Sequence, residues 1–391
     1  MALYALRTAR QVAADPGENH VLQSRGQMRA GMALLAAVVV HLSATGEPAH
    51  AATAAGVTSV LNSSQVVYRA ARSMQNAVVV TVSGRTITID DRVAVKVGKG
   101  CRAVKGDKTK ARCTTTKAPT LVHVYTYDQN DSIVNRTSLA MIIDSGTGSD
   151  TITGGPRGDY LDGDSGNDKI YGLGGNDRIR GDDGNDILSG AEGNDEILDG
   201  AGNDVVRGGN GHDWFGGYQG RDRFYGEAGG DTFSPMPPWG NEYKTDADYF
   251  SGGIGSDRAD YAGYSTAVSL DLDGVTGDDG MAGEHDTIAA DVEDLSGGAG
   301  ADRLVGNNSA NHVTGGDGND VILGNGGDDT ILGEGGRDRL YGGTGDDWLD
   351  GSEHSGVDTI VDLIDGGAHG IKGDACLSRT RAQVTRCEIY F

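Results

Sequence analysis

The chain is short of the residues that fill and catalyse in ordinary globular enzymes. Aromatic side chains are 6% of its 391 residues, and the nine histidines are scattered. No His-Glu-x-x-His motif occurs, since His285 in Gly283-Glu-His-Asp286 has no second histidine four residues away. No Gly-x-Ser-x-Gly nucleophile elbow occurs. Gly98-Lys99-Gly100 lacks the upstream glycine and the Ser/Thr of a phosphate-binding loop. Positive charge is also scarce. Lys and Arg number 33 against 57 Asp and Glu, a formal net charge of −24, which argues against a nucleic-acid partner because phosphates would be repelled. No apolar run is long enough to span a bilayer comfortably. These shortages exclude the familiar hydrolase and nucleotide-binding signatures and leave a chain read as having no catalytic domain.

Glycine (65 residues) and Asp are plentiful, and they recur with a period. Residues 145–234 are ten nine-residue units without insertion or deletion, such as Gly163-Asp-Ser-Gly166-Asn-Asp168-Lys-Ile170-Tyr171. Position 1 is nearly always Gly, and position 4 is Gly except at Arg157, which follows Pro156. Position 6 is always Asp: Asp150, Asp159, Asp168, Asp177, Asp186, Asp195, Asp204, Asp213, Asp222 and Asp231. Position 8 is always apolar: Ile152, Leu161, Ile170, Ile179, Leu188, Ile197, Val206, Phe215, Phe224 and Phe233. A second array, 297–350, has six units with Asp302, Asn311, Asp320, Asp329, Asp338 and Asp347 at position 6. Its second unit departs from the pattern, with Ser309 at position 4 and Asn311 at position 6, and is expected to lose a strong ligand.

Positions 1 to 6 hold residues that tolerate positive φ and tight turns. Positions 7 to 9 alternate polar–apolar–polar, as in a short strand with one buried face. A single such strand cannot bury its apolar residue alone, whereas stacked copies can. Two units make one solenoid coil of eighteen residues, and coils stack about 4.8 Å apart. Stacking aligns Asp150, Asp168, Asp186, Asp204 and Asp222 along one edge, with Asp159, Asp177, Asp195, Asp213 and Asp231 along the other. Bare carboxylates ~5 Å apart repel by about 0.8 kcal/mol per pair in water-like dielectric and about 3 kcal/mol at an effective dielectric of 20. Two inward side chains per coil make a core too thin to outweigh that repulsion and the ordering entropy of a glycine-rich chain. A cation between turns removes the difficulty. The donors are carboxylates and carbonyls, with no recurring His or Cys, and irregular oxygen coordination suits Ca²⁺ better than Mg²⁺. The competing reading is that these Asp residues only form turns.

The units resemble the haemolysin-type (RTX) calcium-binding nonapeptide. The resemblance covers 145–234 and 297–350. It implies an all-β fold, a parallel β-roll in two arrays, with several calcium ions held between turns by turn carbonyls and the position-6 Asp residues, fifteen in all. Arg157 puts normal calcium geometry in doubt at its turn. Such rolls accompany proteases, lipases, toxins, adhesins and surface-layer proteins, so the biological role stays open.

Outside the arrays the expectations are as follows. Residues 1–51 form a signal region, with translation expected to begin at Met28, an apolar stretch from Ala30 and an Ala49-His50-Ala51 cleavage site, which implies a secreted, extracellular protein, with a membrane anchor as the alternative. Residues 52–144 form a β-rich N-terminal capping domain. Its strands are Val78–Val82 and Arg85–Ile89 around a Ser83-Gly84 hairpin turn, then Arg92–Val97, Thr120–Tyr127 and Ser138–Ile143. Cys101/Cys113 and Cys376/Cys387 read as two local disulfides, with a Cys₄ zinc site as the alternative. Lys96, Lys99, Arg102, Lys105, Lys108, Lys110 and Arg112 form a basic loop that could contact cell-wall or surface polymer, or simply be solvated. Residues 235–296 interrupt the arrays, with Pro235, Pro237 and Pro238 stopping the strand run and one degenerate repeat at 252–260. Its acidic loop, with Asp278 and Asp279, is a candidate for an extra calcium site. Residues 351–391 drift out of frame through Asp358-Thr-Ile360 into a disulfide-stapled C-terminal cap. The sequence leaves open whether the arrays form one roll or two. The leading function is extracellular calcium binding with folding coupled to it after secretion. A structural or adhesive surface module is the alternative, followed by an unrecognised hydrolase.

Overall fold

The computed structural model describes residues 55–236, 247–352, 362–369, 373–377 and 383–389. The expected leader, its cleavage site, Pro237, Pro238 and Asp358-Thr-Ile360 lie outside the described residues. The described residues are strands and turns, and no helix among them is long and apolar enough to cross a membrane. The expected all-β, parallel roll is what forms.

The eighteen-residue coil sets the register. Ile152 pairs with Ile170, Ile170 with Leu188 and Leu188 with Val206, all in parallel strands on one face. On the opposite face Leu161 pairs with Ile179 and Ile179 with Ile197. Every position-8 side chain of both arrays is buried, so the two faces share one narrow apolar core. At the C-terminal end of the first array that core turns aromatic. Phe224 meets Phe233 with ring centroids 4.7 Å apart, and Phe233 stacks on Phe250 at 5.4 Å. Space for these rings comes from small neighbours. Ala259 pairs with Phe233 in the ladder, and a Cβ on Gly217 would lie 3.0 Å from the Phe233 ring.

Two glycine positions are spatial requirements. A Cβ on Gly163, at position 1, would lie 2.5 Å from Asp168 Oδ2 of its own turn. Gly166, at position 4, has φ 141°. A Cβ there would collide with the Gly148 carbonyl oxygen of the coil before.

The two arrays share one face without a break. Thr232–Pro235 pairs with Arg258–Asp260, which pairs with Asp294–Ser296, which pairs with His312–Gly318 of the second array. On the other face the ladder of the first array ends at Thr287–Ile288. A new ladder starts at Val268–Asp271 and continues through Arg303–Val305. Pro235 therefore closes a strand, as expected, but residues 235–296 are not a gap in the roll. They contain further coils carrying Phe250, Ile288 and Leu295 inward.

The N-terminal segment joins the same ladders. Leu121–Tyr125 pairs in parallel with Ala140–Asp144, and that strand pairs with Tyr160–Asp162. Beyond them Gly56–Val60 and Gln65–Arg69 pair antiparallel. Sequence reading missed these two strands and Ser132–Arg136. The expected hairpin exists but turns one residue later. Ser83 faces Thr86, so Gly84 and Arg85 make the turn. Gly84 takes φ 58° at the first central position, where a type II′ turn requires Gly. The supposed basic loop is also a hairpin, Cys101–Val104 against Asp107–Thr114. Cys101 and Cys113 pair across it and form a disulfide, Cα atoms 4.0 Å apart. Cys376 and Cys387 form the second, Cα atoms 5.8 Å apart. Both thiol pairs are thereby oxidised, and the Cys₄ zinc alternative falls.

Candidate metal centre

The position-6 carboxylates lie in files because each caps the coil before it. Asp168 Oδ1 accepts the Asp150 N–H at 2.7 Å, Asp186 Oδ1 that of Asp168 at 2.7 Å, and Asp204 Oδ1 that of Asp186 at 2.6 Å. Asp222 Oδ1 accepts the Asp204 N–H at 2.7 Å and closes this part of the file. Along the other edge, Asp177 serves Asp159, Asp195 serves Asp177, Asp213 serves Asp195 and Asp231 serves Asp213, at 2.7 to 2.8 Å. In the second array Asp320 serves Asp302, Asp329 serves Asn311, Asp338 serves Asp320 and Asp347 serves Asp329, at 2.8 to 2.9 Å. The fifteen expected Asp residues are thus brought together in rows, all buried.

The second carboxylate oxygen differs. Oδ2 of Asp168, Asp177, Asp186, Asp195, Asp204, Asp213, Asp231, Asp320, Asp329 and Asp347 is buried without a hydrogen-bond partner. All but that of Asp204, whose unit begins with Asp199, face the bare position-1 glycine of their turn, in most units beside a carbonyl of the next coil. The space a Gly163 Cβ would take lies 2.5 Å from Asp168 Oδ2 and 3.0 Å from the Gly181 carbonyl oxygen. A buried, anionic, all-oxygen cradle of this kind fits a hard divalent cation. Burial pushes the carboxyls up, Asp168, Asp186 and Asp213 to about 7 and Asp177 to about 8, with neighbouring carboxylates adding to the rise.

Two of the fifteen are saturated by the protein itself. Asp159 accepts Met141 N–H at 2.6 Å and Gly155 N–H at 2.7 Å. This is the turn of Pro156 and Arg157, where sequence already questioned the geometry. Asp302 accepts Val268 N–H at 2.9 Å and Gly298 N–H at 2.8 Å, which sequence did not foresee. Asn311 spends its amide on the Glu293 carbonyl at 2.9 Å.

The files also extend beyond the arrays. Asp131 Oδ1 accepts Asn76 N–H at 2.6 Å, and Asp150 Oδ1 accepts Asp131 N–H at 2.6 Å. Asp248 serves Asp222, Asp257 serves Asp231, and Glu293 serves Asp257, at 2.8 to 2.9 Å. Asp362 serves Asp338 and Asp374 serves Asp347, both at 3.0 Å. The signal was present in the Asp-x-apolar triplets Asp131-Ser-Ile133, Asp248-Tyr-Phe250 and Asp362-Leu-Ile364, which lack the preceding glycines. Position 5 was missed as well. Asn185 N–H bonds Asn167 Oδ1 and Asn203 N–H bonds Asn185 Oδ1, both at 2.8 Å, an amide ladder outside the carboxylate file.

In the acidic loop the two candidates separate. Asp279 is buried with both oxygens used, by Asp271 N–H at 2.6 Å and Ile288 N–H at 2.8 Å. Asp278 is exposed, its carboxylate within 4.8 Å of those of Asp271 and Asp273. Two arginines on the strand surface form ion pairs, Arg178 with Glu196 and Arg207 with Glu227, of the kind that contributes about 0–1 kcal/mol.

A family profile, the four-copy RTX calcium-binding nonapeptide repeat, matches residues 144–179, 162–197, 180–215, 198–233, 296–331 and 323–353. No similarity to a curated protein was found.

Proposed function

We propose that this chain, which carries RTX calcium-binding nonapeptide repeats across residues 144–353, binds calcium along its Asp files and folds its roll as calcium fills them. The observation that carries this reading is the row of buried Oδ2 atoms without partners. Asp168, Asp177, Asp186, Asp195, Asp204, Asp213, Asp222, Asp231, Asp320, Asp329, Asp338 and Asp347 would hold the ions, with Asp150 at the N-terminal end of its array. Asp159 and Asp302 are weaker candidates because their oxygens are already used. When bound, the cation supplies positive charge that offsets both desolvation and mutual repulsion of the carboxylates.

The setting that suits this behaviour is outside the cell, where calcium near 10⁻⁴–10⁻³ M fills sites that stay empty at cytosolic levels. The chain is exported unfolded and folds on arrival. Two disulfides agree with an oxidising compartment. Culture fractionation tests the location, and retention of the protein in the cytoplasm would refute it.

The test of the mechanism is far-UV circular dichroism of the full chain titrated with CaCl₂, with MgCl₂ as control. A cooperative gain of β signal with Ca²⁺ alone is expected. A β spectrum already complete in chelator would reduce the Asp files to turn-formers. A second reading, a rigid surface spacer, draws on the one unbroken ladder through both arrays. Retention on washed cells and release by chelator would favour it. No residue is assigned a catalytic role, and turnover in an ester, glycan and peptide screen would overturn that assignment.

A further inference from the structure

Eight of the ten units in the first array begin with Gly, and the exceptions are Ser145 and Asp199. At Gly163 a Cβ would point into the space between the position-6 Oδ2 and a carbonyl of the next coil. Asp199 places a whole carboxylate at this position. Its side chain is buried. Oδ1 accepts Gly200 N–H at 2.6 Å and Tyr218 N–H at 3.1 Å. Oδ2 is buried without a partner, and so is Oδ2 of Asp204 in the same unit. Asp199, Asp204 and Asp222, the position-6 residue one coil on, each bring a carboxylate oxygen within 4.8 Å of the others.

We infer that Asp199, Asp204 and Asp222 form a distinct three-carboxylate calcium site, tighter than the repeat sites around it. Nothing in the nonapeptide pattern calls for Asp199, whose position the repeat reserves for glycine. Two oxygens of this buried trio, Oδ2 of Asp199 and Oδ2 of Asp204, are open. Among the described residues, one other acidic trio has this spacing, Asp271, Asp273 and Asp278. Asp273 and Asp278 are exposed, so water can solvate that trio without an ion. Affinity in oxygen-ligand calcium sites rises with the number of charged ligands. The inference rests on the calcium reading above.

The experiment is calorimetric titration of the full chain with CaCl₂, comparing wild type, Asp199→Gly and Asp199→Asn. Asp199→Gly restores the repeat pattern and removes the extra ligand, while Asp199→Asn keeps the shape and removes the charge. Wild type is expected to bind one Ca²⁺ at least about tenfold more tightly than the rest. Both variants are expected to lose that ion's tight phase and keep the others, with an unchanged β spectrum at saturating calcium. Should Asp199→Asn fail to fold, Asp199→Gly decides. Isotherms identical to wild type would overturn the site and leave the general calcium reading standing. No calcium binding by any of the three chains would overturn both.

Discussion

The coils at residues 56–144 and those at 145–234 share ladders and one core, yet they treat a buried carboxylate differently. In the N-terminal segment Asp91 is buried and complete, with Oδ1 accepting Ala77 N–H at 2.7 Å and Oδ2 accepting Tyr68 O–H at 2.5 Å. In ten of the repeat units one oxygen is likewise bonded and the second is left open, and Asp131, where the N-terminal segment meets the repeats, already has this arrangement. The strands differ too. Leu121–Tyr125 buries Val122 and Val124, and Thr86–Asp90 buries Ile87 and Ile89, whereas a repeat strand such as Thr151–Thr153 buries Ile152 alone. Fully burying one more aliphatic side chain contributes about 1.5–3 kcal/mol. The backbone path of a roll therefore does not itself demand a cation. On the reading proposed above, the need for a cation comes from a thin core combined with a half-satisfied acid.

The largest effect should come from withdrawing calcium. In chelator, hydrogen exchange is expected to become fast across 145–350, while amides of 56–125 stay protected. Simultaneous loss in both regions would erase the contrast. Next comes the Cys101–Cys113 bridge, which closes a short loop and stabilises by about 3 kcal/mol in the loop-entropy model. Replacing both cysteines by Ser should lower the melting temperature of the N-terminal segment equally with and without calcium. A loss confined to one condition would show that the segments are not independent.

Acidity sharpens the same comparison. The carboxyls of Asp168 and Asp177 sit at about 7 and about 8 when folded, against 3.8 as the ordinary value, because they are buried. Between those values the folded chain holds more protons than the unfolded chain. Their contribution is therefore fully present below about pH 4 and is lost as pH rises through 7 to 8. In chelator the roll should gain β signal as pH falls from 8 to 5. In calcium the trend reverses, since protons compete for the ligands. Acid unfolding of the roll in chelator would contradict the burial argument. The smallest effect is local. Leu173 takes φ 77° at position 2, where a non-glycine residue costs about 1 kcal/mol or more. Leu173→Gly should raise stability by at most about 1 kcal/mol after the entropy cost of glycine, read as a lower calcium midpoint in the dichroism titration. No change would mean the turn is relaxed with Leu.

The roll, its register and its Asp files were legible because a period of nine repeats one physical unit, and an error in one unit is corrected by its neighbours. Legibility failed where the unit lost its glycines. Asp131, Asp248 and Asp362 hold file positions without them, since these coils sit where the chain enters, interrupts or leaves the regular array. The N-terminal strands were half read. Gln65–Arg69 has buried Val66, Val67 and Tyr68 in succession, so no alternation marks it. The saturation of Asp302 depends on Val268, thirty-four residues earlier, a partner that no local pattern names. Asp199 was visible as an exception in position 1, but its meaning needed the geometry.

The unbroken ladder has a mechanical side. Each coil advances the roll by one strand spacing, yet it stores eighteen residues of chain, as the pairing of Ile152 with Ile170 fixes. Pulled by its ends, the protein should yield one coil at a time, each release lengthening the tether by about 60 Å of extended chain. Calcium would then set the force at which the tether pays out, making the roll a load limiter whose threshold follows the ionic composition of its surroundings.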